Sequence, residues 1–402
     1  MKVALISSGL VPVPPKAGGA VEEYVFQLAK HLRLLGVEAF VVDSIDKNIS
    51  IMDYASGVPI ARIPVRILHN FPKRNVAKEF LFGLYSAKSL KMMDVDIVHA
   101  NTAWAGFAIS TSIILRNLDK KPKLIYTCHN PLWPEDKVHF GEYVVRYAEG
   151  YTMRKADAVI ALNKTMLNAI VMKARVPGPK VYEIPNGVDT DFFKPGLPGG
   201  GVLEKLRLTE REYVLFVGRV TPIKGVHILL KAFETMISEN SHLGIKLVIA
   251  GPLTGRFNSS GVSDYAKTLI EYSRRKLGEK VLFTGSVDRE TLRILYSNAC
   301  CLVLPSFAEA FPLVLLEAMA SGIPVIGSEA GGIVDVIQNG FNGLLFEKGS
   351  WKDLAEKLKV VVENGDLRDR MGINARVMAI RRYSWYSITE RIRKVYLRVL
   401  SR

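Results

Sequence analysis

Short β-branched runs alternate with longer amphipathic stretches along this chain, and one turn-rich segment divides the alternation in two. Residues 2–7 read as a strand, 19–35 as a helix and 38–42 as a strand. Strands follow at 97–100, 123–128 and 158–161, with a helix over 140–154. The pattern stops in Ile184-Pro-Asn-Gly-Val-Asp-Thr-Asp-Phe-Phe-Lys-Pro-Gly-Leu-Pro-Gly-Gly-Gly201, where turn formers crowd together. It resumes with strands at 213–218, 246–251, 281–285, 301–305 and 325–327, a helix at 226–239 and closing helices at 353–363 and 385–400. Strands separated by helices argue for parallel sheets covered on both faces. The expected class is α/β with two Rossmann-like domains, and 402 residues suit two cores better than one. The expected boundaries are 1–187 and 188–380, with 381–402 a C-terminal helix packed back on the first domain.

No apolar run approaches the length of a membrane span. The chain opens on Met1-Lys2-Val3-Ala4-Leu5-Ile6 and then Gly9, with neither the longer apolar region nor the cleavage site of a signal peptide, so a cytoplasmic location is expected. Cys128, Cys300 and Cys301 match no zinc spacing, and the adjacent pair reads as packed small hydrophobes of a reducing compartment. The net charge of +15 is uneven. One basic run lies between Arg368 and Arg402, opposed only by Asp369 and Glu390. A second passes through Arg62, Arg66, Lys73, Arg74, Lys78, Lys88 and Lys91, with Phe71, Phe80, Leu81 and Phe82 among them. Such interleaving suits an anionic membrane surface or nucleic acid, and equally a solvated face on a protein with anionic substrates.

Two constellations carry chemistry. Gly218-Arg219 follows the apolar run Val214–Val217, and Lys224 precedes the helix expected at 226, so both cations sit at the carboxyl edge where open α/β sheets bind ligands. A guanidinium, an ammonium and a helix N-terminus together suit a diphosphate, although a solvated loop could carry two unrelated cations. The Gly-Lys-Ser/Thr spacing of a P-loop is absent. Ninety residues on, Ser306-Phe-Ala-Glu309-Ala-Phe-Pro-Leu-Val-Leu-Leu-Glu317 sets two carboxylates eight apart around a helix start, with Pro312 suited to its first turn. Glu317 lies among Leu315, Leu316, Ala318 and Met319, so a buried carboxylate there needs partners, which vicinal ribose hydroxyls would supply. A surface glutamate on an amphipathic helix is the plain alternative.

In this order and at these separations the residues resemble the retaining glycosyltransferases of family four. The resemblance runs through Lys16-Ala-Gly18-Gly19-Ala20-Val-Glu, Tyr126-Thr-Cys-His129-Asn130, Ile184-Pro-Asn186-Gly187-Val188-Asp189, Gly218-Arg219 with Lys224-Gly225, Phe283-Thr-Gly285-Ser-Val287, Glu309 to Glu317 and Ala320-Ser-Gly322-Ile-Pro324-Val325. It implies the GT-B architecture, two Rossmann-like domains whose parallel sheets face each other across a cleft, and transfer of a sugar from a UDP- or GDP-sugar to an acceptor hydroxyl with retention. It implies that Arg219 and Lys224 hold the diphosphate, that Glu317 binds the ribose, and that Glu309 contacts the transferred sugar. Backbone amides around Phe311, Pro312 and Leu313 would complete the phosphate cradle. Gly251, Gly285 and Val287 would flank the base, and Gly18-Gly19 would let the first domain's backbone approach the donor. His129 would lie by the sugar, whereas His99, at an analogous strand end, reads as structural. Where the family commonly has glycines beside the aromatic, this chain has Ala310 and Pro312, and Pro312 removes one donor from the cradle.

Asp94-Val-Asp96 and Asp189-Thr-Asp191 have the form of metal chelates, but both suit turns or caps. With two cations for the diphosphate, neither metal nor cofactor is expected. The expected partners are a nucleotide-sugar donor and a sugar or lipid-linked acceptor, with peripheral contact to an anionic membrane and no nucleic acid. Three rivals follow from the same sequence. A GT-B epimerase should lack the four charged residues, and a dehydrogenase needs Gly-x-Gly-x-x-Gly where Gly9-Leu-Val-Pro stands. A non-catalytic membrane or nucleic-acid binder would explain the charge but not the ordered carboxylates.

Overall fold

The computed structural model describes residues 1–15, 19–45, 52–65, 74–112, 121–129, 133, 139–239, 244–254 and 261–402. The chain forms two compact units, Met1–Asn186 with Trp385–Arg402, and Gly187–Ser384. Among the described residues no helix is long and apolar enough to cross a membrane.

The first unit is built on eight strands: β1 Lys2–Ile6, β2 Glu38–Ile45, β3 Met52–Ala55, β4 Val58–Pro64, β5 Ile97–Ala100, β6 Lys123–Cys128, β7 Ala158–Ala161 and β8 Val181–Glu183. Their order is β3-β4-β2-β1-β5-β6-β7-β8, parallel except for the β3–β4 hairpin. Val3 and Leu5 face one helical layer, which includes Ala20–Leu34 and the C-terminal helix Trp385–Leu400; Ala4 and Ile6 face Phe82 and Ala105 in the other. Period-two alternation therefore gives apolar side chains to both faces, which is why these strands read as continuous apolar runs.

The second unit holds β9 Tyr213–Val217, β10 Lys246–Ala250, β11 Val281–Gly285, β12 Cys301–Leu304, β13 Val325–Ser328 and β14 Gly343–Phe346. The order is β11-β10-β9-β12-β13-β14, all parallel, so the chain reverses its winding between β9 and β12. A crevice opens at the carboxyl ends of two strands wherever such a reversal occurs.

Several elements went unforeseen. Residues 52–64 form a hairpin and its paired strand, and the helices Arg74–Leu90, Ala103–Thr111, Lys164–Met172 and Gly365–Met378 have apolar faces interrupted by small or charged residues. The basic-aromatic run between Arg62 and Lys91 is not one surface. Arg62 is buried in β4 against Asp43, and Phe82 is in the core. Lys88 and Lys91 are exposed, while Arg66, Phe71 and Lys73 lie outside the described residues. On the C-terminal helix, Trp385, Ile388, Ile392, Val395, Tyr396 and Val399 turn inward at helical spacing. Lys394 and Arg398 face solvent, so much of that basic run is the outer face of an amphipathic helix.

Candidate functional site

In the second unit, the segment after β9 and the segment after β12 meet at the switch point. Gly218 and exposed Arg219 leave β9; a short 3-10 turn, Pro222–Lys224, then leads through Gly225 into the helix Val226–Glu239. Gly225 has φ of 68°, and a Cβ there would stand 2.0 Å from the Pro305 carbonyl oxygen. Only glycine permits that approach. Phe307 N–H donates to the Ile223 carbonyl over 2.8 Å, which locks the two segments side by side.

This brings Lys224 and Glu309 together as an ion pair, 24% and 12% exposed. Ser306, fully buried at the end of β12, donates its hydroxyl to Glu309 Oε1 over 2.7 Å. The Ser306 carbonyl in turn accepts from Ser328 Oγ at the end of β13. The loop after β13 clamps the Glu309 backbone: Gly332 N–H donates to its carbonyl over 2.9 Å. Gly331, at φ 46°, packs so close that a Cβ would lie 2.2 Å from the same oxygen.

Glu317 sits inside the helix Leu313–Ala320 and accepts from Tyr296 Oη over 2.8 Å; burial, reinforced by the adjacent carboxylate, pushes that phenol far above its usual range. Pro312 stands one residue ahead of the helix, in the cap position, and not in its first turn. The N–H groups of Leu313 and Val314 therefore have no intrahelical acceptor. Phe311 rests 6.4 Å from the Tyr383 ring. Gly251 and Gly285 close β10 and β11, joined by Gly251 N–H to the Gly285 carbonyl at 2.8 Å, and half-buried Val287 packs on the core nearby. Gly218, Arg219, Lys224, Gly251, Gly285, Ser306, Glu309 and the start of the helix Leu313–Ala320 lie at the carboxyl edge of one sheet, whereas Tyr296 stands near the end of the helix Arg289–Asn298 that leads into β12.

The first unit carries the remaining candidates. Gly19 caps the helix Ala20–Leu34 at φ 88°, and Gly18 lies outside the described residues. The loop between them and β1 is held by buried charge. Asp43 accepts from Ser7 Oγ at 2.6 Å and Val13 N–H at 2.9 Å and pairs with Arg62, whose second nitrogen reaches the Val13 carbonyl at 2.7 Å. His129 follows β6. Its Nε2 is buried with no hydrogen-bond partner among the described residues, and burial lowers its pKa to about 4, so the ring is neutral near pH 7. Tyr24 meets it edge-on, with ring centroids 4.7 Å apart.

Sequence reasoning missed Tyr24, Tyr296, Ser328 and the glycine clamp, and gave Ser306 no role. Only Ser306 had a local signal, three residues ahead of Glu309. The two Asp-x-Asp pairs have local work. Asp96 accepts from Lys2 N–H at 2.7 Å, and Asp189 accepts from Phe192 N–H at 3.0 Å. Among the described residues no cluster of three His, Cys, Asp or Glu side chains could hold a metal.

Residues 203–378 match the family model described as glycosyl transferases group 1, and residues 17–192 match that of glycosyltransferase family 4. The alpha-maltose-1-phosphate synthase of Mycobacterium tuberculosis is 30% identical over 321 residues, covering 75% of this chain and 79% of that protein. The D-inositol 3-phosphate glycosyltransferase of Corynebacterium aurimucosum is 24% identical, over 100% of this chain and 97% of that one. Among solved structures, the sucrose-phosphate synthase of Thermosynechococcus elongatus superposes with a TM-score of 0.79 at 21% identity, covering 100% and 99% of the two chains. Anabaena Alr3699/HepE, solved with UDP-glucose, has a TM-score of 0.75 at 22% identity, covering 99% and 100%. These likenesses show the fold, which is GT-B.

Proposed function

Since the chain belongs to the family-four, group-1 glycosyltransferases, we propose that it moves a sugar from a nucleoside diphosphate sugar to an acceptor hydroxyl with retention and without a metal. The observation that carries the reading is the Lys224–Glu309 pair beside the start of the helix Leu313–Ala320 at the switch point of one parallel sheet, with Arg219 on the segment that leaves β9. In this reading the bond from the anomeric carbon to the diphosphate breaks, and the acceptor oxygen bonds to the same face. The acceptor proton passes to the departing diphosphate oxygen. Arg219 and Lys224 stabilise the charge that develops there, aided by the N–H groups of Leu313 and Val314. A bound diphosphate would compete with Glu309 for the Lys224 ammonium, freeing the carboxylate for the sugar hydroxyls. Glu317, oriented by Tyr296, takes the ribose. His129, neutral, takes a hydroxyl of the sugar or supports the oxocarbenium-like state.

A uridine donor is favoured over a guanosine one because the Anabaena relative in fold was solved with UDP-glucose. A phosphorylated sugar or polyol acceptor is favoured by the names of the two sequence relatives and by the net charge of +15. The test is a thermal-shift screen with UDP, GDP, ADP and their sugar conjugates, followed by transfer assays on phosphorylated and lipid-linked acceptors. Nucleotide stabilisation that vanishes in Lys224→Ala, with transfer lost in Glu309→Ala, is expected; undiminished transfer in both variants would overturn the assignment.

A further inference from the structure

Side chains of β6 alternate between its faces, and the two sides lead to different buried groups. Tyr126 Oη donates to the Glu149 carboxylate on one side at 2.6 Å, with Cys128 Sγ at 3.6 Å from the same oxygen. Thr127, on the side that His129 shares, begins a chain that the proposed reaction does not use. Its Oγ1 lies 2.7 Å from His99 Nε2 and 3.3 Å from Tyr24 Oη, and His99 Nδ1 lies 2.6 Å from Tyr396 Oη on the C-terminal helix. His99, Thr127 and Tyr396 are completely buried. Burial lowers the His99 pKa to about 3, so the ring carries one proton, donating through one nitrogen and accepting through the other. The bonds of the chain from Tyr396 to Thr127 therefore run in a single sense.

An apolar trio would fill the same space without the cost of desolvating three polar groups. What the polar chain adds is direction. It reaches the Tyr24 hydroxyl over a longer contact of 3.3 Å, and the Tyr24 and His129 rings meet in a T-shaped arrangement at 75°. Nε2 of His129 lacks a hydrogen-bond partner among the described residues, and Tyr24 is the ring that packs against the imidazole there. We propose that Tyr396 and His99 are positioning residues, acting through Thr127 and Tyr24 to hold the His129 imidazole in its reactive orientation. The C-terminal helix thereby takes part in sugar transfer, 297 residues from its partner on β5. The inference rests on the reading of His129 as a group that touches the transferred sugar.

The test compares Tyr396→Phe, His99→Ala and His99→Gln in the full chain. Tyr396→Phe is expected to lower kcat about tenfold, with the donor KM within about twofold of wild type, because orientation and not binding is lost. His99→Ala should lose more, and His99→Gln should recover part, since a carboxamide still donates on one side and accepts on the other. In nitrogen-proton correlation spectra, the His129 imidazole signals, assigned by their loss in His129→Ala, should shift in Tyr396→Phe. Unchanged kcat at a temperature where the variants stay folded overturns the proposal. So does a fall in kcat with the His129 signals unmoved, which would bypass that residue. If the wild type transfers no sugar from any donor, the proposed function fails while the imidazole signals still decide the positioning claim. Should Tyr396→Phe not fold, Tyr24→Phe removes the last hydroxyl of the chain, and the same two readouts decide.

Discussion

Lys224 Nζ and Ser306 Oγ converge on one oxygen of Glu309, the lysine from 85 residues upstream and the serine from three. A cation and a hydroxyl on the same oxygen fix the carboxylate plane, while the loop after β13 holds its backbone. The carboxylate is thus oriented by three segments that sequence places far apart.

Ser306→Ala should therefore loosen Glu309 without touching the nucleotide. We expect kcat to fall about tenfold, near the value of one lost hydrogen bond to a charged group. The dissociation constant for the free nucleoside diphosphate, measured by calorimetry, should stay unchanged. Weakened nucleotide binding would place Ser306 in the cradle instead.

Gly331→Ala tests the clamp. A methyl group at 2.2 Å from the Glu309 carbonyl, on a backbone at φ 46°, must push the loop away. The expected cost is about 1–3 kcal/mol in chemical denaturation, with transfer lowered more than nucleotide binding.

Tyr296→Phe deletes the hydroxyl that orients Glu317 over 2.8 Å. Affinity for the ribonucleotide should fall about fivefold, on the order of 1 kcal/mol. Affinity for the 2′,3′-dideoxy analogue should be the same in wild type and variant. An equal loss for both nucleotides would remove Glu317 from the ribose.

Arg376 donates from one nitrogen to the carbonyls of Thr190, Phe193 and Ala320 at 2.8, 3.0 and 2.6 Å, tying the turn-rich segment to the end of the helix Leu313–Ala320. Arg376→Met leaves three acceptors without this donor. A loss of about 2 kcal/mol is expected in urea unfolding followed in the full chain.

Burial lowers the pKa of His99 to about 3 and of His129 to about 4, from an ordinary value of 6.5. Between those values and 6.5 the unfolded chain binds more protons than the folded one, so stability rises with pH through that window. The contribution is fully present above 6.5 and is lost as pH falls toward 4 and then 3. Glu22, Asp43 and Glu79, raised by burial, act in the opposite sense, so the difference between wild type and variant is the informative quantity. The gap in melting temperature between wild type and His99→Gln should narrow as pH drops from 7 to 5. A constant gap would contradict the assignment.

The alternation of apolar runs and amphipathic stretches, the break at Ile184, and the helix that follows Glu309 were legible in the sequence because each depends on neighbours a few residues away. The hairpin at 52–64 and the helix Arg74–Leu90 were not. Their charged residues, Arg62 and Glu79, read as surface and are buried, Arg62 against Asp43 and Glu79 against the N–H groups of Trp104 and Ala105. Pro312 was misplaced by one residue because a proline suits both the cap and the first turn.

By itself the sequence determined which residues carry charge at the strand ends of the second unit. Only the tertiary structure decided which of those charges meet. Lys224 finds Glu309 because β9 and β12 are neighbours, and His99 finds Tyr396 because the C-terminal helix returns to the first sheet. Strand order and helix return are set by burial summed over whole layers, a quantity that no local spacing expresses.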